Sequence, residues 1–526
     1  MTFDLLITGG TILDGSGAPR HAGDIGIAEG GIREIGAPSL AGAKTEKTIA
    51  AEGKFVAPGF IDLTSHADKN FSLFLNPRQD YLLTQGVTTI LVGNCGSSLA
   101  PLVAPEAVAS LKKWGELSQV NINWSSAAEL LEELGRHPLG LNVAALMGHG
   151  TIRRGILRGE SRACSSDELA QMIETVRRGM SEGAFGLSTG LIYGHEAAAS
   201  AEELAALTRA VAEADGLWKA HLRNEGQDLV PAMNETIQIA RESKTRAAVS
   251  HLKAIGRRAW PSFRNVLEMM ERAAENGLRI GFDISPYQRT GSFLYLLLPP
   301  WAREGGFGPM LERIRDAANR AAILEALRAE TIHPDRYLVA NSGLPGTNGK
   351  TIAEIAQHTG QPTEETVLEL LAASEGMVTI FGKTLSYRNL AMGLAHPLAA
   401  VASDGSGVAA EIAQAGTLVH PRSTGAFPHF LHRFVREEKI LSWEEGIRKI
   451  TALPAEILGL KDRGRISKGL RADFAIFDPE AIRDRSTYQN PYVHSVGIEA
   501  VVVNGKLAVE NGQLTGTAAG QVLKKS

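Results

Sequence analysis

PGFIDLTSHAD, residues 58–68, opens on a Pro-Gly turn signal, runs through an apolar stretch and closes on polar residues, with Thr64 and His66 two positions apart. Side chains alternate along a strand, so Thr64 and His66 share a face at its C-terminal end. Seven more runs follow the same plan: VTTILVGNCG (87–96), NVAALMGHG (142–150), AFGLSTGLIY (184–193), LWKAHLRNEG (217–226), RAAVSHLKA (246–254), RIGFDISPY (279–287) and LAAVASDGS (398–406). Each precedes an amphipathic helical stretch, the signature of repeated βα units and a parallel sheet. Helix starts are well marked, Ser126 with Glu129 and Ser200 with Glu203 having capping-box spacing. With FVAPGFIDLTSH as the first strand, the runs number the eight that a (β/α)8 barrel needs, and MVTIFGK (377–383) is a ninth without a place. The expected fold is a TIM-like barrel over residues 58–455.

Outside those limits the pattern changes. DLLITGGTILDG, AGDIGIAEGGIREIG and TIAAEGKFVAPG at one end, and RADFAIFD and EAVVVNGKLAVENGQL at the other, are short β-type runs punctuated by Gly. Asn504-Gly505 is a two-residue hairpin signal. The expectation is a small β-sandwich built from residues 1–57 plus 456–526. After TGSFLYLLLPPW comes a charged helical stretch from about Arg303 to Glu330, which predicts a lid-like subdomain inserted over about 288–345.

Composition narrows the function. At 526 residues, 44% hydrophobic and 21% charged, the chain can bury a large core, and a net charge of −4 gives no electrostatic reason to bind nucleic acid or an anionic membrane. The expected partner is a small molecule. Two cysteines, Cys95 and Cys164, exclude a disulfide scaffold and suit a reducing compartment. MTFDLLITGG carries Asp4 and reaches Gly within a few apolar residues, so it lacks a signal-peptide core and a membrane span, and the expected location is the cytoplasm. There are no repeats, low-complexity tracts or coiled-coil heptads, and the sequence leaves the oligomeric state open.

The strand ends carry His66, Cys95, His149, Tyr193, His221, His251 and Asp404, and in a barrel those ends share the face where active sites sit. A lone Cys or His is ordinarily core. Cys95, His221 and His251, however, end three different strands, and one Cys with two His is a zinc-like ligand set that leaves a fourth position for water. Strand periodicity also puts Lys219 on the face of His221, where a cation beside a metal would be repelled. Either its ammonium takes the charge of an absent second metal, or the strand is bulged and Lys219 points elsewhere.

FVAPGFID with its His-containing turn, QGVTTILVGNCG, GLSTGLIY, HLRNEG, SHLKAIG, ASDG and HPRSTGAFP together resemble, in order and over nearly the whole chain, the D-aminoacylase (N-acyl-D-amino-acid deacylase) branch of the amidohydrolase superfamily. The resemblance implies a barrel flanked by a β-sandwich and a tightly held Zn2+ on Cys95, His221 and His251. It implies metal-dependent hydrolysis of the linear amide of an N-acyl-D-amino acid, with Asp404 taking the proton of the attacking water and returning it to the departing amine. It further implies that Lys253, Arg422 and Tyr193 bind the substrate, the two cations meeting its carboxylate. Members of that branch have His-x-His after FID, able to hold a second, weaker metal with the Asp of ASDG. Here Thr64 takes the first position, so the site at His66 is expected to be weak or empty. TGSFLYLLLPPW and AFPHFLHRF suggest an apolar pocket wall and a neutral side chain or fatty acyl group.

Rival readings exist. A dihydropyrimidinase-like cyclic-amide hydrolase would use a bridging Lys on strand 4, and GLSTGLIY has none. GLSTG (186–190) matches the G-x-S-x-G elbow of serine hydrolases, but the helix that should follow at once begins only near Ser200. PGTNGKT (345–351) resembles a phosphate loop, except that Leu344 stands where its first Gly belongs. A catalytically silent barrel kept as a scaffold is the non-enzymatic alternative.

Overall fold

Strands Phe60–Asp62, Val87–Val92 and Asn142–Ala145 pair in parallel as one sheet. Met147–Gly148, Gly186–Gly190, Leu217–His221, Arg246–Val249, Ile280–Ile284 and Ala399–Val401 pair in parallel, in sequence order, as a second. This computed structural model describes residues 2–525 apart from 37–39, 41, 115–116, 330–332, 409–412 and 415. One residue, Leu146, separates the two sheets along the chain, and Phe185 N donates to Ala145 O across them at 2.9 Å. At the other seam Ser403 N donates to Asp62 Oδ1 at 2.9 Å, and Gly405–Ser406 pairs in parallel with Ser65–His66. The strands are buried on both faces, VTTILV throughout, because each side is covered. Leu91 of the first sheet and Leu217, Ala248 and Ala400 of the second pack into one cluster with Leu63 and Leu146, which lie beside the strands.

Helices return between strands. Ala127–Arg136 starts on the capping box of Ser126 and Glu129. Ala201–Glu213 has only half of one: Ser200 accepts from Glu203 N, while the Glu203 carboxylate bonds His149 and Arg153 instead. Among the described residues no helix is long and apolar enough to cross a membrane.

Both termini build one nine-stranded sheet, in which Phe474–Phe477 joins Ile498–Val503 on one side to Phe55–Pro58 on the other. Leu5, Ile25 and Val56 share its core with Phe474 and Val502. The Asn504-Gly505 turn has φ of +48° and +81°, as a two-residue hairpin requires. The strands form one continuous sheet rather than two separate ones.

The inserted unit is larger than the sequence suggested. Thr290–Phe293 and Tyr337–Asn341 both pair antiparallel with Thr379–Gly382, so the unplaced ninth run is its central strand and the unit extends to Gly382, not 345. Helices Ile352–Thr359 and Thr363–Ala373 have the amphipathic pattern of barrel helices but pack here with Leu294, Met310 and Ile380. Glu330, the predicted end of the helical stretch, lies outside the described residues; the helix there is Ala317–Ala329.

Candidate metal centre

Cys95 lies three residues beyond Val87–Val92, in a loop where Gly93, Cys95 and Gly96 have φ of +78°, +56° and +74°. His221 ends its strand, and His251 follows Arg246–Val249 at φ +37°. The structure brings these residues together: one ligand atom from each lies within 4.8 Å of the others, all three being buried. Cys95 Sγ is 3.3 Å from His251 Nε2, and the two imidazoles meet edge to face at 4.4 Å. Among the described residues neither ring nitrogen of His221, both buried, makes a hydrogen bond, Nε2 having only Glu225 Oε2 at 3.5 Å. Orphaned buried nitrogens are costly, and facing a thiol and a second imidazole they fit a zinc-type cation.

The electrostatics of the thiol agree. Burial alone would raise the Cys95 thiol, but His251, His221 and His66 hold it well below its ordinary value, toward the thiolate that binds metal. His251, which burial and Lys253 would lower, is pushed up to about 10 by Asp404 and Cys95. Asp404, at φ +53°, places Oδ1 3.3 Å from His66 Nε2 and Oδ2 2.6 Å from Arg422. Burial would raise its carboxyl, yet Arg422, His251 and His66 hold it well below the usual range.

His66 Nε2 is 3.8 Å from Cys95 Sγ, so His66 borders the same centre. Thr64 faces elsewhere. Its hydroxyl donates to Asp283 Oδ1 at 2.8 Å and accepts from Lys219 Nζ, which also bonds Asp283 Oδ2 at 2.6 Å and Ser250 Oγ at 3.3 Å. Lys219 and Asp283 are both fully buried. The register on either side of Leu217–His221 is unbroken, so no bulge is present and Lys219 points inward. Asp283 Oδ1 also accepts His251 N at 2.8 Å, which ties this ion pair to a candidate ligand.

Lys253 and Arg422 line a cavity that His251 and Asp404 also border. Arg422 keeps a buried Nε without a partner, as does the hydroxyl of Tyr287, on the same wall. Lys253 bonds Glu225 Oε1 at 2.6 Å and sits 2.7 Å from His251 Nδ1. Tyr193 meets His221 edge-on at 5.4 Å. The cavity's apolar wall comes from Phe263, Ile284, Leu385 and Leu390. Of the runs expected to supply it, only Thr290 lines the cavity; Leu294 and Leu298 belong to the core of the inserted unit, and Phe427, Phe430 and Phe434 to the main core.

Glu225, Asp283 and Tyr287 were not picked out from the sequence. Glu225 reads as a loop residue of RNEG, but lies 3.5 Å from His221 Nε2 and 3.3 Å from His251 Nδ1; its i, i+4 spacing from His221 was the available signal. Burial would raise it, and Lys253, His221 and His251 hold it well below its ordinary value.

The model of the amidohydrolase family matches residues 47–509. The N-acyl-D-aspartate deacylase of Alcaligenes xylosoxydans xylosoxydans is 32% identical over 99% of this chain and 95% of its own length. The crystal structure of N-acyl-D-glutamate deacylase from Bordetella bronchiseptica, complexed with zinc and a phosphonate mimic of the tetrahedral intermediate, superposes with a TM-score of 0.85 at 31% identity, covering 100% of both chains. A D-aminoacylase described for one-metal activation and second-metal attenuation of its binuclear centre superposes at 0.84 with 28% identity, over 99% of this chain and 100% of that one.

Proposed function

The chain belongs to the amidohydrolase family, in its N-acyl-D-amino-acid deacylase branch, and we propose that it is a zinc-dependent hydrolase that splits N-acyl-D-amino acids into a carboxylic acid and a free D-amino acid. The observation that carries this is the convergence of Cys95, His221 and His251 beside Asp404. We read the two parallel sheets as one (β/α)8 barrel. The Phe185–Ala145 bond, the Ser403–Asp62 bond and the shared interior cluster support that reading.

Cys95, His221 and His251 would hold the zinc, which supplies Lewis acidity toward the amide carbonyl and an acidified water. Asp404, kept ionised by Arg422, would take the proton of the attacking water and hand it to the departing nitrogen. Arg422, Lys253 and Tyr287 form the polar wall toward the substrate carboxylate, Arg422 offering a fork and Lys253 a point charge. Tyr193, its phenol kept protonated by burial, can donate to the substrate near His221.

One metal suffices in this reading. Thr64 offers a neutral hydroxyl already shared between Lys219 and Asp283, and the Lys219 ammonium puts a positive charge where a second cation would be repelled. Zinc-loaded protein is expected to hydrolyse N-acetyl-D-amino acids in preference to the L-enantiomers, as read by released amine. Asp404→Asn should lower kcat about 10²–10⁴-fold with its zinc retained. Equal rates on both enantiomers, or an Asn variant as fast as the parent, would overturn these assignments.

A further inference from the structure

Ser188 is the middle residue of GLSTG, within strand Gly186–Gly190, and is fully buried. Its hydroxyl donates to Gly93 O at 2.5 Å and accepts from Gly96 N at 3.0 Å. One side chain therefore spans the loop on both sides of Cys95. That loop needs holding, because Cys95 carries a β-carbon in the left-handed region that the flanking glycines adopt freely. Other groups press on the same loop. Gly93 N donates to Asp68 Oδ2 at 3.0 Å and Thr151 N to Gly96 O at 3.2 Å. A β-carbon on Gly190 would sit 2.4 Å from Cys95 O, so the strand carrying Ser188 lies against the loop with no space between.

We propose that Ser188 is a positioning residue whose hydroxyl fixes the left-handed turn that aims Cys95 Sγ at His221 and His251. The inference rests on reading those three residues as zinc ligands. It also gives GLSTG a role other than nucleophile: the hydroxyl hydrogen is committed to a backbone carbonyl, and neither hydrogen-bond partner of Ser188 is a base.

The test compares parent and Ser188→Ala protein by zinc competition with a chromophoric chelator and by the thiolate-to-metal charge-transfer absorption of the cobalt-loaded forms. Removing such a support is expected to weaken zinc binding about 10–100-fold, to shift or weaken the charge-transfer band, and to leave hydrolysis recoverable at saturating zinc. Unchanged affinity with an unchanged band overturns the proposal, and so does an alanine variant that is fully loaded yet inactive, which would make Ser188 catalytic. Should the alanine variant fail to fold, Ser188→Cys, similar in volume with only a weak S–H donor, takes its place under the same criteria. A parent that binds no metal overturns the zinc reading itself, and this inference with it, whereas a zinc-loaded active parent beside an unaffected variant overturns this inference alone.

Discussion

Lys219 has no solvent exposure, and its Nζ is satisfied by Asp283, Thr64 and Ser250. Asp283 depends on it in turn. Lys219→Met leaves a buried carboxylate unpaired and is expected to cost about 3–5 kcal/mol, read as a lowered denaturation midpoint; a midpoint equal to the parent's would show that the pair is not formed. Period-two alternation from His221 offered an inward Lys219 but left a bulged strand equally open, and the unbroken register removes the bulge. Asp283 was not legible as its partner, because it lies on another strand 64 residues away and only the closed arrangement brings them together. Thr64 follows the same logic: the residue type could be read as a poor ligand, but not that its hydroxyl is held by two other side chains.

At the scale of elements, His149 at the start of helix His149–Ile156 shows how two segments are fastened. Its ring bonds Glu196 through Nδ1 and Glu203 through Nε2, both at 2.8 Å, with all three side chains buried. Burial alone would lower the imidazole, but the two carboxylates raise it from 6.5 to about 9. A raised folded-state value means that this stabilisation is complete below about pH 6.5 and is lost as the pH climbs through about 9. The stability difference between parent and His149→Gln should therefore be largest near pH 6 and shrink by pH 9–10, as followed by thermal melting; a difference independent of pH would remove the charged His149 from the account. His149 was marked as a strand-end residue without a role, since neither glutamate is near it in sequence. The Ser126–Glu129 capping box, the strand ends and the Asn504-Gly505 turn were legible because each is fixed within a few residues, whereas the Glu203 carboxylate leaves the expected box at Ser200 for His149 and Arg153. PGTNGKT likewise resolves locally: Thr351 caps Ile352–Thr359 with Glu354.

For the whole molecule, the order of βα units and the joining of both termini could be read from alternation and spacing, but not that the terminal strands form one continuous sheet. The extent of the inserted unit could not, because its helices look like barrel helices until their packing against Leu294 and Ile380 is seen. The apolar runs at 290–301 and 426–434 failed as pocket predictors for a related reason: hydrophobicity marks burial, and most burial is core. What the architecture achieves is to bring Cys95, His221 and His251, from three separate strands, to one point beside Asp404, with a buried lysine fixed behind them. The most direct test is the zinc content per chain, by elemental analysis, of parent and Cys95→Ala protein after incubation with excess zinc and exhaustive dialysis. The account predicts about one zinc in the parent and almost none in the variant; two in the parent, none in the parent, or a variant that keeps its zinc would contradict it.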